Sequence, residues 1–400
     1  LQAAAQFEHQ KIDFRFALCR LSVIQAAFSH ENFKESQMAV SNIAVNNPLA
    51  VKTWSRQLAA EVSKATSIAP LIGTSSADII QLKEETAKGA GDKVTFGLRH
   101  QLIGDGVSEG TQLEGREEAL ATYADTLVLN ELAHAVRVKN EGTIDAQRVP
   151  FNLREEANAG LVDWYADRLS LTAFVHLCGY TGASLTFEGR KLNITPLHTG
   201  FNTPTAASNE RIFWAGGKKA DSELQSDNLF DLSLVDKAVE RAKLANPKIR
   251  PCRINGENVY VMYLHPQQVT ALRTNTAAGQ WLDIQKAAYQ GSRAQNPLFD
   301  GSLGMYNGVV LREAEHIMPG LTAAGAELPN VRRAVLLGAQ AGIIAFGKDL
   351  STEKYRLVEE LFDYQRELGV AAKTVFGFKK AVFDGQDFAS IVVSTAVKAA

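Results

Sequence analysis

Apolar residues recur along this chain with two different periods, and the switch between them divides it into segments. Near the start, Phe14, Leu18, Leu21 and Ile24 stand four, three and three residues apart, which predicts one apolar helix face that must be buried somewhere. Four acidic and four basic side chains are mixed through residues 1 to 37, and the apolar content is too high for a solvated tail. A polar stretch from Met38 to Pro48 marks a boundary. Leu49 to Val62 then reads as a short helix with Trp54, Leu58 and Ala59 on one side.

From Lys93 the period becomes two. Val94, Phe96 and Leu98 alternate with Thr95, Gly97 and Arg99, and the strand heads toward Gly104-Asp105-Gly106, a turn signal. After a polar stretch with Gly110 and Gly115, the return strand is expected at Leu132, His134, Val136 and Val138. Together these predict a long two-stranded excursion, and an isolated hairpin is marginal in water, so it should be stabilised by something outside itself.

A helix follows. Asn152 is a good N-cap with Glu155 three residues on, and Gly179 supplies a left-handed stop. Leu153, Ala157, Leu161, Trp164, Leu171, Val175 and Cys178 mark its apolar face. At ~1.5 Å per residue it spans roughly 40 Å, the length of a spine. Beyond Tyr180 the chain turns rich in Gly, Thr, Asn and Pro until about Asn228. Ser233 is expected to cap a helix ended by Asn246-Pro247, and Val259 to Leu264 is a strand running into His265-Pro266 and another helix. Trp281 to Ala288, Val309 to Leu311 and Ala334 to Ile344 continue a mixed pattern. Thr374 to Phe378 and Phe388 to Val393 are strands flanking the turn residues Asp384-Gly385.

Composition narrows the class. With 46% hydrophobic and 22% charged residues over 400 positions, disorder and collagen-like structure are excluded. Lys and Arg number 42 against 44 Asp and Glu, a formal net charge of -2, so the chain as a whole cannot act as a polycation on nucleic acid or an anionic membrane. Cys19, Cys178 and Cys252 are few, odd in number and without Cys-x-x-Cys spacing, which argues against a disulfide framework and fits a reducing compartment. No apolar run reaches the ~18 residues of a membrane span, and the first apolar stretch, Leu18 to Phe28, is too broken by Arg20 and Gln25 for a signal peptide. Leu1 is not an initiator, and Met38 is an alternative start.

Candidate chemistry is sparse. Asn130-Glu131-Leu132-Ala133-His134 has Asn where a zinc-protease helix needs its first His, and it reads as strand. Glu313-x-Glu315-His316 offers ligand types, but adjacent residues on an extended segment point to alternating faces. Lys88 to Lys93 lacks P-loop spacing, and Gly301-Ser302-Leu303-Gly304 is one residue short of a nucleophile elbow. His265 is a helix cap in preference to a catalytic base. Lys218-Lys219, Arg332-Arg333 and Lys379-Lys380 read as solvated faces or halves of intersubunit ion pairs. No catalytic constellation, metal set or cofactor site is expected.

Several strings together resemble the phage major capsid family typified by the coat protein of phage N-four. They include Asn47-Pro48-Leu49-Ala50-Val51-Lys52, Gly91-Asp92-Lys93-Val94-Thr95-Phe96 and His134 to Lys139 running into Arg148-Val149-Pro150-Phe151. Leu264-His265-Pro266, Gly279 to Ala288, Asn330 to Gln340, Gly385-Gln386-Asp387-Phe388 and Val392-Val393-Ser394-Thr395 follow in order, from Met38 to about Ala400. The resemblance implies an α+β chain with the Hong Kong ninety-seven-like capsid fold: an N-terminal arm (1–81, with 1–37 as an extension), an extended two-stranded loop (82–149), a spine helix with part of the peripheral domain (150–229), an axial domain (230–350) and closing strands (351–400). It implies self-association into hexamers and pentamers of a virion shell, portal, scaffold and decoration proteins as partners, assembly in the host bacterial cytoplasm, and no catalytic residues. Phe14, Leu18, Leu21, Ile24, Gly104, Asp105 and Gly106 are the candidate assembly residues. Contact with packaged double-stranded DNA should be loose, and none is expected with a membrane. The alternatives are an encapsulin-type compartment shell, which shares the fold, and a soluble hydrolase built around His265 or Glu313.

Overall fold

The computed structural model describes residues 48–83, 92–120, 122–140, 142–194, 202–254, 257–277, 304–347 and 354–398. Phe14, Leu18, Leu21 and Ile24, Trp281 to Ala288 and Gly301 to Leu303 lie outside them.

The spine helix, Leu153–Leu177, is fixed at both ends by its own sequence. Asn152 Oδ1 accepts from the Arg154 amide at 3.0 Å, satisfying one of the free donors of the first turn. At the other end Gly179 has φ +61°, and the Gly179 and Tyr180 amides bond back to His176 and Val175. That is a Schellman closure. A Cβ at Gly179 would stand 2.4 Å from the Ala207 amide nitrogen, so close approach adds to the backbone requirement. Twenty-five residues give about 38 Å. The N-terminal half has one buried face, whereas Leu169 to Leu177 is buried all round.

Two main sheets flank this helix. One has strands in the order Ile72–Gly73, Ile80–Lys83, Gly342–Phe346, Glu367–Lys380 and Arg356–Phe362, with Asn130–Lys139 added to the long Glu367–Lys380 strand. Its inner face carries Leu357, Leu368, Val370 and Ala372, backed by Val136 and Val138. These pack on Ala157, Leu161, Val162 and Tyr165 of the spine and on Leu58 and Val62 of the helix Pro48–Ala65. Each fully buried aliphatic side chain is worth about 1.5–3 kcal/mol. The Tyr165 hydroxyl reaches the carbonyls of Leu132 (3.2 Å) and Ala372 (2.6 Å), pinning the spine to two paired strands.

The second sheet runs Met305–Tyr306, Val309–Glu313, Glu257–Leu264, Glu327–Leu337, Ser390–Ala396 and Ile212–Trp214, with Pro319–Leu321 and Cys252–Ile254 attached. Its central strands are buried on both faces, so they read as continuous apolar runs. The Ala334 to Phe346 run is two strands joined by a short turn.

Three expectations are corrected. The strand Asn130–Lys139 does not close the excursion. It pairs antiparallel with Glu367–Phe376 over ten residues, and the strand that returns beside Lys93–Arg99 is Thr122–Val128. Asp231, and not Ser233, caps the helix Leu232–Leu244, accepting from the Leu234 amide (3.1 Å) and the Ser233 hydroxyl (2.8 Å). Asp384-Gly385 is the turn of a small separate hairpin, Val382–Phe383 with Gln386–Asp387, in which both turn residues have positive φ.

Candidate assembly surfaces

The excursion divides into an anchored root and an exposed outer part. In the root, Val94, Phe96 and Leu98 on one strand and Leu127 on the other are at most 2% exposed and belong to the main core. Lys379 Nζ lies 2.6 Å from Asp125 Oδ1, and the Asn202 amide bonds both the N–H (3.0 Å) and C=O (2.7 Å) of Val128. His100 and Tyr123 pack on Phe383, with ring centroids 6.0 and 5.6 Å apart, and His100 Nε2 meets Asn246 Oδ1 at 2.9 Å.

Beyond His100 no side chain up to Leu120 enters the core. Gly104-Asp105-Gly106 is not the hairpin turn: these residues lie on the outgoing arm, and the turns fall at Ser108 to Thr111 and Leu113 to Arg116, with Gly110 and Gly115 at positive φ. Leu102, Ile103, Leu113 and Leu120 are 53–78% exposed. Asp105, Glu109, Glu114, Glu117 and Glu118 stand against Arg116 alone, so residues 101–120 carry a formal charge of -4. Four large apolar side chains thus stand exposed on an acidic stretch that has no core of its own.

The folded body is locked by two buried ion pairs that sequence reading assigned to the surface. Arg333 donates to Asp221 Oδ2 through Nε (2.9 Å) and Nη2 (2.7 Å), and to the Gly179 carbonyl through Nη1 (3.0 Å). Burial alone would raise the Asp221 carboxyl, but the Arg333 charge and the hydrogen bonds from Leu321 N and Ser394 Oγ outweigh it and hold it below the usual carboxylate range. Lys380 Nζ lies 2.7 Å from Asp387 Oδ1, both side chains at most 3% exposed, and burial raises the Asp387 carboxyl against the pull of Lys380. Arg333 and Lys380 are therefore intramolecular supports, which corrects the reading of Arg332-Arg333 and Lys379-Lys380 as solvated or intersubunit charges.

The candidate chemistry resolves into structure. His265 Nδ1 accepts from the Gln267 amide (3.2 Å) and Gln268 Oε1 accepts from His265 N (3.0 Å), a reciprocal cap on the helix Pro266–Thr274. Burial and Arg332 push its pKa down to about 3, which keeps the ring neutral and able to accept. His134 stacks on Trp164 at 4.1 Å, and His316 Nε2 meets Asp167 Oδ1 at 2.9 Å over the Phe187 ring. Among the described residues no group of three or more His, Cys, Asp and Glu could hold a metal ion, and no helix is long and apolar enough to cross a membrane.

Residues 42–399 match the family model described as phage capsid protein. The chain belongs to that family. It is 28% identical over 347 residues to the major capsid protein of Pseudomonas phage KPP25, covering 82% of this chain and 89% of that one. The capsid of Ralstonia phage GP4 superposes with a TM-score of 0.70 at 29% identity, covering 89% of this chain and 98% of its own. The capsid of Cyanophage Pam1, at 19% identity and a TM-score of 0.61 over 84% and 93%, shares the fold. This phage capsid protein thus has the α+β, Hong Kong ninety-seven-like architecture.

Proposed function

We propose that this phage capsid protein is the major shell subunit of an icosahedral head that encloses a double-stranded DNA genome, with copies meeting in hexamers and pentamers. The observation that carries the reading is the excursion: an anchored root on a folded body, and an outer part, residues 101–120, that exposes Leu102, Ile103, Leu113 and Leu120 and has no core of its own. On this reading the outer part lies over a neighbouring subunit, with Gly104, Asp105 and Gly106 on its outgoing arm. The face formed by Phe14, Leu18, Leu21 and Ile24 packs against an adjacent subunit and links capsomers. Portal, scaffold and decoration proteins complete the particle, which assembles in the host bacterial cytoplasm. Contact with the genome is loose, because a formal net charge of -2 leaves no global attraction for phosphate.

Two measurements test this. Expressed with its scaffold, the chain should form large closed or irregular particles, and a strictly monomeric or dimeric species across salt and concentration would refute it. Deleting Gly104 to Gly115 should leave a folded subunit that assembles poorly; normal assembly of that deletion would reduce the excursion to a surface loop.

A further inference from the structure

Beyond the paired strands of the root, the described residues of the two arms are tied to each other at one carboxylate. Glu118, on the returning arm, reaches across to the outgoing arm, where its two oxygens accept from the Ile103 amide at 2.9 and 3.0 Å and Oε2 accepts from the Gly104 amide at 2.6 Å. The hydrogen bonds nearer the tip are local: Thr111 N to Ser108 O, Arg116 N to Leu113 O, and Gly115 N to Glu117 Oε2. Glu118 thus sets how the arm carrying Leu102 and Ile103 stands relative to the arm carrying Leu120.

Gly104 suits this clamp for a reason of space. Its φ lies outside the left-handed region, so its backbone does not itself require glycine. A Cβ there would stand 2.8 Å from Glu118 Oε2, closer than van der Waals contact allows. The atom it meets is the free end of a flexible side chain, so an alanine would displace the carboxylate and leave the backbone undisturbed. The amides of Ile103 and Gly104 hold the Glu118 carboxyl below its ordinary range, which keeps it a charged acceptor in mild acid.

We infer that Glu118 is the positioning residue of the excursion, clamping Ile103 and Gly104 so that Leu102, Ile103 and Leu120 are already arranged when they meet a second copy of this chain. The inference rests on the reading that the outer part covers a neighbour. A segment that must be ordered on contact loses affinity to the ordering, and a clamped one does not. No core residue lies between 101 and 120, so loss of the clamp should slow assembly without weakening the folded body.

Full-length chains carrying Glu118→Gln, Gly104→Ala and both are compared with the parent in light-scattering assembly at equal concentration and in urea unfolding of the unassembled subunit. Glutamine keeps the size of the side chain but removes the charge, and with its oxygen in the place of Oε2 it sets an NH2 group against the Ile103 amide donor. Each single variant should assemble at least roughly fivefold more slowly, the double no more slowly than the worse single, and all three should keep the parent's unfolding midpoint. The parent's advantage over E118Q should also vanish as pH falls through the titration of the carboxylate. A parent-like rate in E118Q, additive slowing in the double, a lowered midpoint, or a rate advantage unchanged through the acid range each overturns the inference. The deletion of Gly104 to Gly115 separates the two ideas. Normal assembly of the deletion removes the neighbour reading, whereas failure of the deletion beside a parent-like E118Q removes the clamp alone.

Discussion

Replacing Asp221 with alanine should be among the most damaging single changes to the folded body, and the structure says by how much. The Asp221 side chain is 2% exposed and serves four partners. Oδ2 takes Arg333 Nε, Arg333 Nη2 and Leu321 N; Oδ1 takes Ser394 Oγ and Trp214 Nε1, each at 2.7–2.9 Å. These come from separate stretches of chain, and Arg333 also holds the carbonyl of Gly179 at the end of the spine. Alanine would strand a guanidinium that retains only 10% of its exposure, a loss of about 3–5 kcal/mol. It would also orphan the Leu321 and Trp214 donors, at roughly 1 kcal/mol or more each. The sum rivals the ~5–15 kcal/mol that stabilises a whole domain. Urea unfolding of the unassembled subunit should show the D221A midpoint collapsing. Combining it with Arg333→Met should recover much of the loss, with a coupling energy of about 2 kcal/mol or more. The sign of the pH dependence follows from the lowered carboxyl of Asp221. Its contribution is complete above the ordinary carboxylate pKa and is lost as pH falls through the lower folded value, so Asp221→Asn should flatten that part of the acid limb. A D221A subunit within about 1 kcal/mol of the parent would refute the reasoning.

Three further outcomes are expected. Cys178 and Cys252 are buried and burial pushes both thiols up to about 12, so neither should react with a thiol reagent at pH 8 until the chain is unfolded; prompt labelling of either one in the native subunit, read by peptide mapping so that Cys19 is counted apart, would contradict their placement. Gly179→Ala should cost more than about 1 kcal/mol in urea unfolding, because it combines φ +61° with a Cβ only 2.4 Å from the Ala207 nitrogen; a change within about 0.5 kcal/mol would show that the turn has room to give. Mass spectrometry of the subunit from intact virions should recover peptides spanning Phe14 to Phe28 and heat should disrupt shells truncated before Met38 sooner; a mature terminus at Met38 or Ala39 removes the arm.

What could be read from the sequence follows the range of the interactions involved. The spine helix was legible at both ends because Asn152 and Gly179 act within three residues of the turns they close. The return strand of the excursion was not. Thr122–Val128 and Asn130–Lys139 are separated by Leu129 alone, and the second alternates more cleanly than the first. Alternation tells which side chains share a face, and Leu132, His134, Val136 and Val138 do share the inner one. It does not tell which strand lies alongside, and that partner is Glu367–Phe376, more than 200 residues away. The buried charges were missed for a related reason. Arg332-Arg333 and Lys379-Lys380 look alike as dipeptides, but both sit on strands, where neighbours point to opposite faces. One member of each pair must then turn inward: Lys380 is 1% exposed while the side chain of Lys379 keeps 24% and reaches Asp125. An inward charge is tolerable only with a partner, and Asp221, opening a short 3-10 helix, and Asp387, on a two-residue strand, supply it from stretches whose sequence gives no sign of their place in the fold. The excursion carries the opposite difficulty. Leu102, Ile103, Leu113 and Leu120 lie among acidic and glycine residues that read as a polar loop, and none of them packs into the core of this chain.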